Sequence, residues 1–265
     1  MSVVLKYPGA KNRIADKLLT YMPEHKVYLE PFAGSLALFF KKPRSYIETI
    51  NDLDGRIVNF FTVLRDLSQD LISHLSLTPY SRIEYERAYQ EQGSDDPVEM
   101  ARQFAIKCWM GFGCGNLYKN GFRSGQSVTS PNPAKAWREL PVILTSAADR
   151  LMGVQIECLP ALELIRRYDK PEVFIYADPP YLQSMRKKYL YKFEMTEQEH
   201  ISLLNTFLTH KAKIMLSGYD NPLYNWMLSG WNKAYIETQC ECGHKRTEVI
   251  WYNYSLDQMT LSDFI

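Results

Sequence analysis

Residues 173–181, which read Val-Phe-Ile-Tyr-Ala-Asp-Pro-Pro-Tyr, constrain the fold of this chain more than any other stretch. The β-branched and aromatic run at 173–177 is typical of a buried strand. The run must stop there, because two prolines follow and neither can donate to a sheet ladder. Asp178 and Pro179 each precede a proline, which favours an extended backbone at both. The pattern predicts a stiff turn at the carboxyl end of a strand, where α/β sheets bind ligands.

The chemistry of this turn suits an aromatic amine. The Asp178 side chain and the Pro179 carbonyl are two hydrogen-bond acceptors close together, and the Tyr181 ring offers a flat face. An exocyclic amino group on a nucleobase has two hydrogens to donate and belongs to a ring that can stack. The turn therefore indicates recognition of such an amine.

Other segments of the chain, taken in order with this turn, resemble one known family. Asp-Pro-Pro-Tyr alone recurs by chance, but the ordered set is specific. The matching segments are Lys6–Lys11, Glu30–Ser35, Asn51–Asp54, Asp178–Tyr181, Ser217–Pro222 and Glu248–Tyr254. Over nearly its whole length the chain resembles the Dam-like, phage-type (D12 class) DNA adenine-N6 methyltransferases. The resemblance implies methyl transfer from S-adenosyl-L-methionine to N6 of an adenine flipped out of duplex DNA.

The resemblance also implies a fold, a domain division and a set of site residues. The fold would be α/β, a Rossmann-like methyltransferase sheet with an inserted, mainly helical DNA-recognition module. Residues 1–67 and 151–265 would form the catalytic domain, and 68–150 the target-recognition insertion. The implied catalytic residues are Asp178, Pro179, Pro180 and Tyr181. The implied cofactor-binding residues are Tyr7, Lys11, Phe32, Ala33, Gly34, Ser35, Asp52, Cys158 and Asp178.

A strand, a glycine loop and a helix start together predict a cofactor cradle near the N-terminus. The strand is expected at 27–30, the loop at 31–35 and the helix start at 36–40, whose N–H groups would face the ligand. Relatives usually carry a second glycine where this chain has Leu36, which narrows the space beside the ligand.

The next predicted strand, 45–50, leads to a carboxylate at Asp52. A carboxylate at this position typically holds ribose hydroxyls. Asp52 is also compatible with the N-cap of a helix expected at 54–67. Asp54 is the better cap, which leaves Asp52 for the ribose.

A second departure from the family occurs between the strand expected at 154–157 and the helix expected at 161–168. Relatives often place an acidic residue here to bind the cofactor's adenine, but this chain has Cys158, Leu159 and Pro160. Main-chain atoms and apolar contacts would then hold the adenine. Cys158 is expected to be an inert, buried thiol.

The middle of the chain segregates positive charge. Helices are expected at 80–90 and 97–110, and Asn120-Gly121 is a hairpin signal. No Asp or Glu occurs between Met100 and Arg138, whereas cations recur among aromatic residues. This pattern is typical of a surface that holds a phosphate backbone, although a glycine-rich loop with incidental charges is the alternative. The candidates for DNA contact here are Lys119, Asn120 and Arg123.

A second basic stretch follows the Asp-Pro-Pro-Tyr turn. Arg186, Lys187 and Lys188 suit a loop that closes on DNA, and a solvated basic turn is the alternative. A helix is expected at 194–210, with Thr196 and Glu199 as its capping box. A strand at 213–217 and an antiparallel pair at 231–238 and 247–254 complete the expected sheet.

Composition excludes several other classes of protein. Net charge is +1 over 265 residues, so any DNA-binding surface must arise by local segregation of charge. No apolar run reaches membrane-spanning length, and the N-terminus lacks the features of a signal peptide. Five cysteines, an odd number, favour reduced thiols in a cytosol. The resemblance implies that this is the cytoplasm of a bacterial or phage-infected cell. Cys240, Cys242 and His244 fall short of a four-ligand zinc site, so no metal is expected.

The expected partner is double-stranded DNA, and the resemblance leaves room for a cognate restriction endonuclease. The oligomeric state is open. Two alternatives to adenine methylation also stay open at this point. Cytosine-N4 methyltransferases hold an exocyclic amine with the same kind of turn, although they usually carry Ser in place of Asp178. A catalytically impaired, DNA-binding relative is the other, motivated by Leu36 and by the missing acid near Pro160.

Overall fold

The structure is a computed structural model, and it describes residues 3–90, 94–113, 118–186, 189–239 and 245–256. Within these ranges, seven strands form one sheet. They are β1 (Val27–Glu30), β2 (Ile47–Asn51), β3 (Gln155–Glu157), β4 (Val173–Ala177), β5 (Lys213–Gly218), β6 (Asn232–Gln239) and β7 (Lys245–Tyr252). Their order across the sheet is β3-β2-β1-β4-β5-β7-β6. The first five of these are parallel, and β7 runs antiparallel to both β5 and β6.

Helices cover both faces of this sheet. They are α1 (Ala15–Leu19), α2 (Gly55–Asp66), α3 (Ser68–Leu77), α4 (Arg82–Gln90), α5 (Pro97–Met110), α6 (Pro133–Leu151), α7 (Ala161–Arg167), α8 (Glu197–Leu208) and α9 (Pro222–Met227). A mainly parallel sheet with helices on both faces is the Rossmann-like architecture. The predicted α/β fold class, including a mainly helical stretch between β2 and β3, is confirmed.

Alternate residues of β4 pack into two separate hydrophobic cores, one on each face of the sheet. Phe174 and Tyr176 of β4 join the core that contains α1 through α6. Val173 and Ile175, which alternate with them, join the core formed with α7, α8 and α9. The side-chain alternation of a strand produces this division. Burial on both faces explains why β4 reads as a continuous apolar run.

The four helices between residues 68 and 150 pack against the first core. Tyr85 of α4, Trp109 of α5 and Trp137 of α6 lie in the same buried cluster as Phe60 of α2. At its carboxyl end, α6 is also tied to the sheet by an ion pair between Arg150 and Glu48 of β2. The division into a catalytic domain and an insertion stays a prediction. What these contacts establish is a continuous apolar link between the two parts.

Two helices of this region, α3 and α6, have no counterpart among the sequence-based predictions. Pro141 lies inside α6, and an internal proline normally ends or kinks a helix at a cost of about 3 kcal/mol. The buried face of α6 includes Trp137, Leu140 and Leu144. Each such side chain contributes about 1.5–3 kcal/mol on burial, which together exceeds the cost of the proline.

The hairpin predicted at Asn120-Gly121 is wrong. An antiparallel bridge pairs Gly111 with Phe122, so Gly121 lies within the paired segment and not at a two-residue turn. Such a turn of type I′ needs positive φ at both central residues. Among the described residues, neither of these two has positive φ. The chain doubles back over a longer loop, of which 114–117 lie outside the described residues.

Several local predictions are confirmed. Asp54 caps α2 by accepting a hydrogen bond from the Arg56 backbone N–H. Thr196 and Glu199 form the capping box of α8, and β6 and β7 form the expected antiparallel pair. In the part of the chain that the structure describes, no helix has the length and apolar character needed to cross a bilayer. The cysteines and histidine at 240–244 lie outside the described residues.

Candidate functional site

The carboxyl ends of β1, β2 and β4 meet at one cavity. Parallel neighbouring strands end at the same edge of a sheet, which brings Glu30, Asn51 and Asp178 together although they are distant in the chain. The cavity has a volume of about 200 Å³. Of the predicted site residues, it is lined by Tyr7, Lys11, Phe32, Ala33, Gly34, Ser35, Asp52, Asp178 and Pro180. Cys158, Pro179 and Tyr181 lie outside this lining.

The loop after β1 turns without forming a helix. A helix start was predicted at 36–40, and that prediction is wrong, since only isolated turns occur there. Leu36, the first residue of the predicted helix, has a left-handed φ of 56° and so cannot belong to a right-handed helix. After it, the Phe40 N–H bonds to the Leu36 carbonyl and the Lys42 N–H to the Leu38 carbonyl as separate turns. Leu36 thus adopts a conformation that glycine adopts readily, while its side chain is fully buried in the core. The loop still approaches the cavity closely, because Gly34 also has a positive φ, 49°.

Asp52 holds this loop in place. Its carboxylate accepts hydrogen bonds from the backbone N–H of Gly34 and of Asp54, both at 2.9 Å. Burial raises the pKa of Asp52 to about 6, against the lowering effect of these backbone hydrogen bonds. A carboxylate has about four acceptor positions, so Asp52 retains capacity for ligand hydroxyls. The Gly34 N–H, by contrast, is already used.

The side chain of Asn51, at the end of β2, connects the segments that follow β1 and β3 by hydrogen bonds. Its side-chain amide donates to the carbonyls of Pro31 and Leu159, and its carbonyl accepts from the Leu159 N–H at 2.9 Å. The Leu159 N–H is therefore already used, and its carbonyl has accepted one of the two hydrogen bonds that it can accept. Apolar surface from Phe32, Leu159 and Pro160 does line the cavity.

Cys158 was expected to be a buried thiol. The structure places it at the surface, so that prediction is wrong.

Asp178 is the group at this edge with unsatisfied hydrogen-bonding capacity. One carboxylate oxygen, Oδ2, lies 2.8 Å from the ammonium of Lys11. The other oxygen, Oδ1, is buried and has no hydrogen-bond partner among the described residues. Burial raises the pKa of Asp178, and Lys11 opposes that effect. A buried acceptor without a donor is costly unless a ligand satisfies it.

Lys11 was predicted to contact the cofactor, and the structure joins it to the Asp178–Tyr181 turn. Besides its ion pair with Asp178, its ammonium donates to the Gly9 carbonyl at 2.9 Å. It also lies 4.9 Å from the centre of the Tyr181 ring. Burial lowers the pKa of Lys11, but Asp178 and Glu248 outweigh burial and raise the pKa above its ordinary value. Lys11 is therefore charged when Asp178 is ionised.

The segment after the turn folds back over the cavity. Arg186 was predicted to bind DNA, but its side chain is only 7% exposed and forms an ion pair with Glu194. Arg186 also donates to the Tyr181 carbonyl at 2.8 Å. The same segment brings Tyr191 against the ring of Tyr7, with ring centres 6.1 Å apart. Lys187 and Lys188 lie outside the described residues.

The candidates for DNA contact between 118 and 123 lie next to the Gly111–Phe122 bridge. Lys119 is exposed, and Asn120 is partly buried, with its carbonyl accepting from the Tyr85 hydroxyl. The Arg123 guanidinium donates to the carbonyls of Gly111 and Gly113, at 3.1 and 3.2 Å. These two hydrogen bonds tie Arg123 to the segment at 111–113 and so stabilise the loop. A guanidinium has five donors, so others remain for a ligand.

Sequence reasoning missed the site roles of Glu30, Tyr191 and Glu248. Glu30 lines the cavity, and burial raises its pKa to about 8. Its position at the end of β1 was a usable signal, because acids rarely lie at buried strand ends without a role. Tyr191 lies in the segment that directly follows the turn, which was expected to close on DNA, and it was not singled out there. Glu248 reaches the site across 67 positions of chain, and spacing along the sequence carries no signal for it.

Comparison with known proteins agrees with this geometry. A family model described as D12 class N6 adenine-specific DNA methyltransferase matches residues 7–241. The DNA N-6-adenine-methyltransferase of Escherichia phage P1 is 31% identical over 71 residues, which is 26% of this chain. The matched stretch spans 9% of the length of that curated relative. The family match covers most of this chain and includes the cavity and the Asp178–Tyr181 turn, so the chain belongs to the D12 class N6 adenine-specific DNA methyltransferase family.

Proposed function

We propose that this protein transfers a methyl group from S-adenosyl-L-methionine to N6 of an adenine flipped out of double-stranded DNA. The observation that carries the proposal is the buried, unpaired Oδ1 of Asp178 at the edge of the cavity. An exocyclic amine can satisfy that oxygen. The proposal extends to the setting in which such a reaction occurs, the cytoplasm of a bacterial or phage-infected cell, with room for a cognate restriction endonuclease.

The residues of the cavity fit the methyl donor. Asp52 keeps acceptor capacity for ribose hydroxyls, Phe32 and its apolar neighbours suit a flat ring, and Asp178 belongs to the same lining. Tyr7, Lys11 and the loop Phe32–Ser35 complete the proposed contacts, with Cys158 as an outlying one. S-adenosyl-L-methionine, when bound, supplies a methyl group on a positively charged sulfur, which a nitrogen lone pair can attack.

The catalytic turn would then hold and orient the amine. Asp178 Oδ1 accepts one amino hydrogen and the Pro179 carbonyl accepts the other, with Pro180 stiffening the turn. Both acceptors draw the nitrogen into a fixed position. Most of the rate acceleration would come from this orientation and from the placed charges of Asp178 and Lys11. No covalent bond between enzyme and DNA is needed.

The target base must leave the duplex, because its amino group lies within the base stack. Flipping costs a few kcal/mol of unstacking and unpairing. Stacking on the Tyr181 ring returns about 1–3 kcal/mol of that cost. Phosphate contacts from Lys119, Asn120 and Arg123, in the region proposed as the recognition insertion, would hold the duplex, with Lys187 and Lys188 as further candidates.

Methyl labelling with product identification tests the proposal. Purified protein is incubated with duplex DNA and methyl-labelled cofactor, and the DNA is digested to nucleosides. We expect the label in N6-methyladenine, whereas label in N4-methylcytosine would assign the other base. The Asp178→Ala variant should lose transfer and, because the buried Lys11 ammonium loses its partner, should unfold at a lower denaturant concentration. A native circular dichroism spectrum under the assay conditions is therefore the control for folding. Retained transfer would remove Asp178 from the mechanism.

Calorimetry separates an active enzyme from a DNA-binding relative without activity. S-adenosyl-L-methionine is titrated into the protein with and without duplex DNA. We expect saturable heat in both titrations. Absence of heat in both would favour the inactive relative.

A further inference from the structure

Tyr181 is fixed on three sides. Its hydroxyl donates to the Glu248 carboxylate at 2.5 Å. Its ring packs edge-on against Tyr219, with centres 4.7 Å apart and planes at 73°. The ammonium of Lys11 lies 4.9 Å from the ring centre. Two of these contacts limit where the ring lies, and the hydrogen bond to Glu248 fixes where its far end points.

Glu248 is placed for this contact by the antiparallel end of the sheet. It belongs to β7, one residue before Val249, which pairs with Gly218 at the carboxyl end of β5. β5 itself neighbours β4, whose end carries the catalytic turn. Glu248 therefore lies at the level of that turn, and it is 9% exposed. A carboxylate so little exposed is costly to bury unless a partner compensates it.

We propose that Glu248 is a positioning residue for methyl transfer, which holds the Tyr181 hydroxyl so that the ring presents a fixed face to the target base. This inference rests on the proposed function, since it assigns Tyr181 the role of stacking on a flipped base. Glu248 itself touches neither the base nor the methyl donor. Besides the charge that it places near Lys11, its effect on the reaction passes through Tyr181.

The physical basis is the strength and direction of the contact. Hydrogen bonds to an ionised acceptor are about twice as strong as those between neutral groups. A tyrosine ring without such a contact can turn about two side-chain bonds. A Tyr181 ring with more rotational freedom would stack less often in the orientation that brings the amine to Asp178. This loss should lower kcat more than it lowers the affinity for DNA.

A double-mutant cycle tests whether Glu248 acts through the tyrosine hydroxyl. Glu248→Ala should lower kcat about tenfold or more, with a smaller change in the KM for DNA. Tyr181→Phe removes the same hydrogen bond from the other side. In the Tyr181→Phe background, Glu248→Ala should cause little further loss. Independent losses that multiply in the double variant would overturn the proposal.

Two further variants exclude a merely structural effect. Glu248→Gln keeps an oxygen that can accept the hydroxyl hydrogen but removes the charge near Lys11. It should recover most of the kcat lost in Glu248→Ala, and no recovery would assign the loss to that charge and overturn the proposal. Tyr254→Phe removes a comparable buried hydroxyl contact, 2.8 Å to the Tyr21 carbonyl, away from the cavity. It should leave kcat unchanged. Equal loss of kcat in Tyr254→Phe and Glu248→Ala would assign Glu248 to stability alone.

A readout without turnover separates failure of this inference from failure of the proposed function. A crystal structure of Glu248→Ala should show the Tyr181 ring turned from its position against Tyr219. An unchanged ring would overturn the inference even if the wild-type protein methylates adenine. A turned ring in a protein that methylates no adenine would support the contact and refute the proposed reaction instead.

Discussion

The ammonium of Lys11 lies 2.8 Å from the carboxylate of Asp178, and the Lys11 side chain is only 6% exposed. Removing one partner of a buried ion pair leaves an uncompensated charge and typically costs roughly 3–5 kcal/mol. Lys11, the last residue of the first matching segment, is thus the counter-ion of Asp178, the first residue of the Asp178–Tyr181 turn. This pairing leads to the first prediction.

Lys11→Met should destabilise the protein by about 3 kcal/mol at pH 8 and by less at pH 5. Without Lys11, the already raised pKa of Asp178 rises further, so the buried carboxyl costs more as the pH rises and it ionises. Urea unfolding at both pH values measures this difference. Adding Asp178→Asn should restore most of the loss. Equal destabilisation at both pH values would contradict the assignment.

Gly9→Ala should weaken cofactor binding. Gly9 has a φ of 73°, and a Cβ there would lie 2.3 Å from the Tyr191 hydroxyl oxygen, so Tyr191 must move from the cavity. The left-handed φ alone costs about 1–2 kcal/mol of stability. Gly153→Ala is the matched control, with a φ of 82° and open space around its Cβ. Calorimetry should show weaker S-adenosyl-L-methionine binding for Gly9→Ala only.

Glu30→Gln should stabilise the protein increasingly as the pH rises from about 4.5 to about 8. Burial raises the pKa of Glu30 to about 8, so the folded state keeps a proton that the unfolded state has released. Stability of the wild-type protein therefore falls across this range, and Gln carries no such dependence. Urea unfolding at several pH values measures the gap. Glu24→Gln, the same change at an exposed position, is the control, and matching pH profiles for the two variants would refute the prediction.

Lys119→Ala and Arg123→Ala should each weaken binding to duplex DNA and lower the salt dependence of that binding. A residue that contacts one phosphate contributes about one to the slope of log K against log salt concentration. Fluorescence anisotropy at several salt concentrations gives the slope. A weaker affinity with an unchanged slope for Arg123→Ala would limit its role to the hydrogen bonds that it donates to Gly111 and Gly113.

Local chemistry explains which elements could be predicted from the sequence. The strand at 173–177, the cap at Asp54 and the capping box at Thr196 each depend on residues close together in the chain. The meeting of Asp52 and Asp178 at one edge also followed, because parallel strands place their carboxyl ends together. These features can be predicted without knowing which distant residues are in contact.

Features decided by tertiary contacts were missed or mistaken. Leu36 takes a glycine-like conformation because the core holds its side chain, and nothing in the local sequence indicates that. Arg186 read as a surface cation, yet Glu194 and the Tyr181 carbonyl bind it inside the fold. Glu248 reaches Tyr181 across 67 positions of chain. In each case, the partner that decides the outcome lies beyond the reach of a local pattern.

The left-handed conformation of Leu36 affects the entropy that the loop loses when a ligand binds. Leucine has far fewer accessible backbone conformations than glycine, and the core holds the Leu36 side chain, so the folded loop is restricted before any ligand arrives. A binding surface shaped in advance loses little conformational entropy on association. The recess beside this loop therefore has its shape before a ligand enters it.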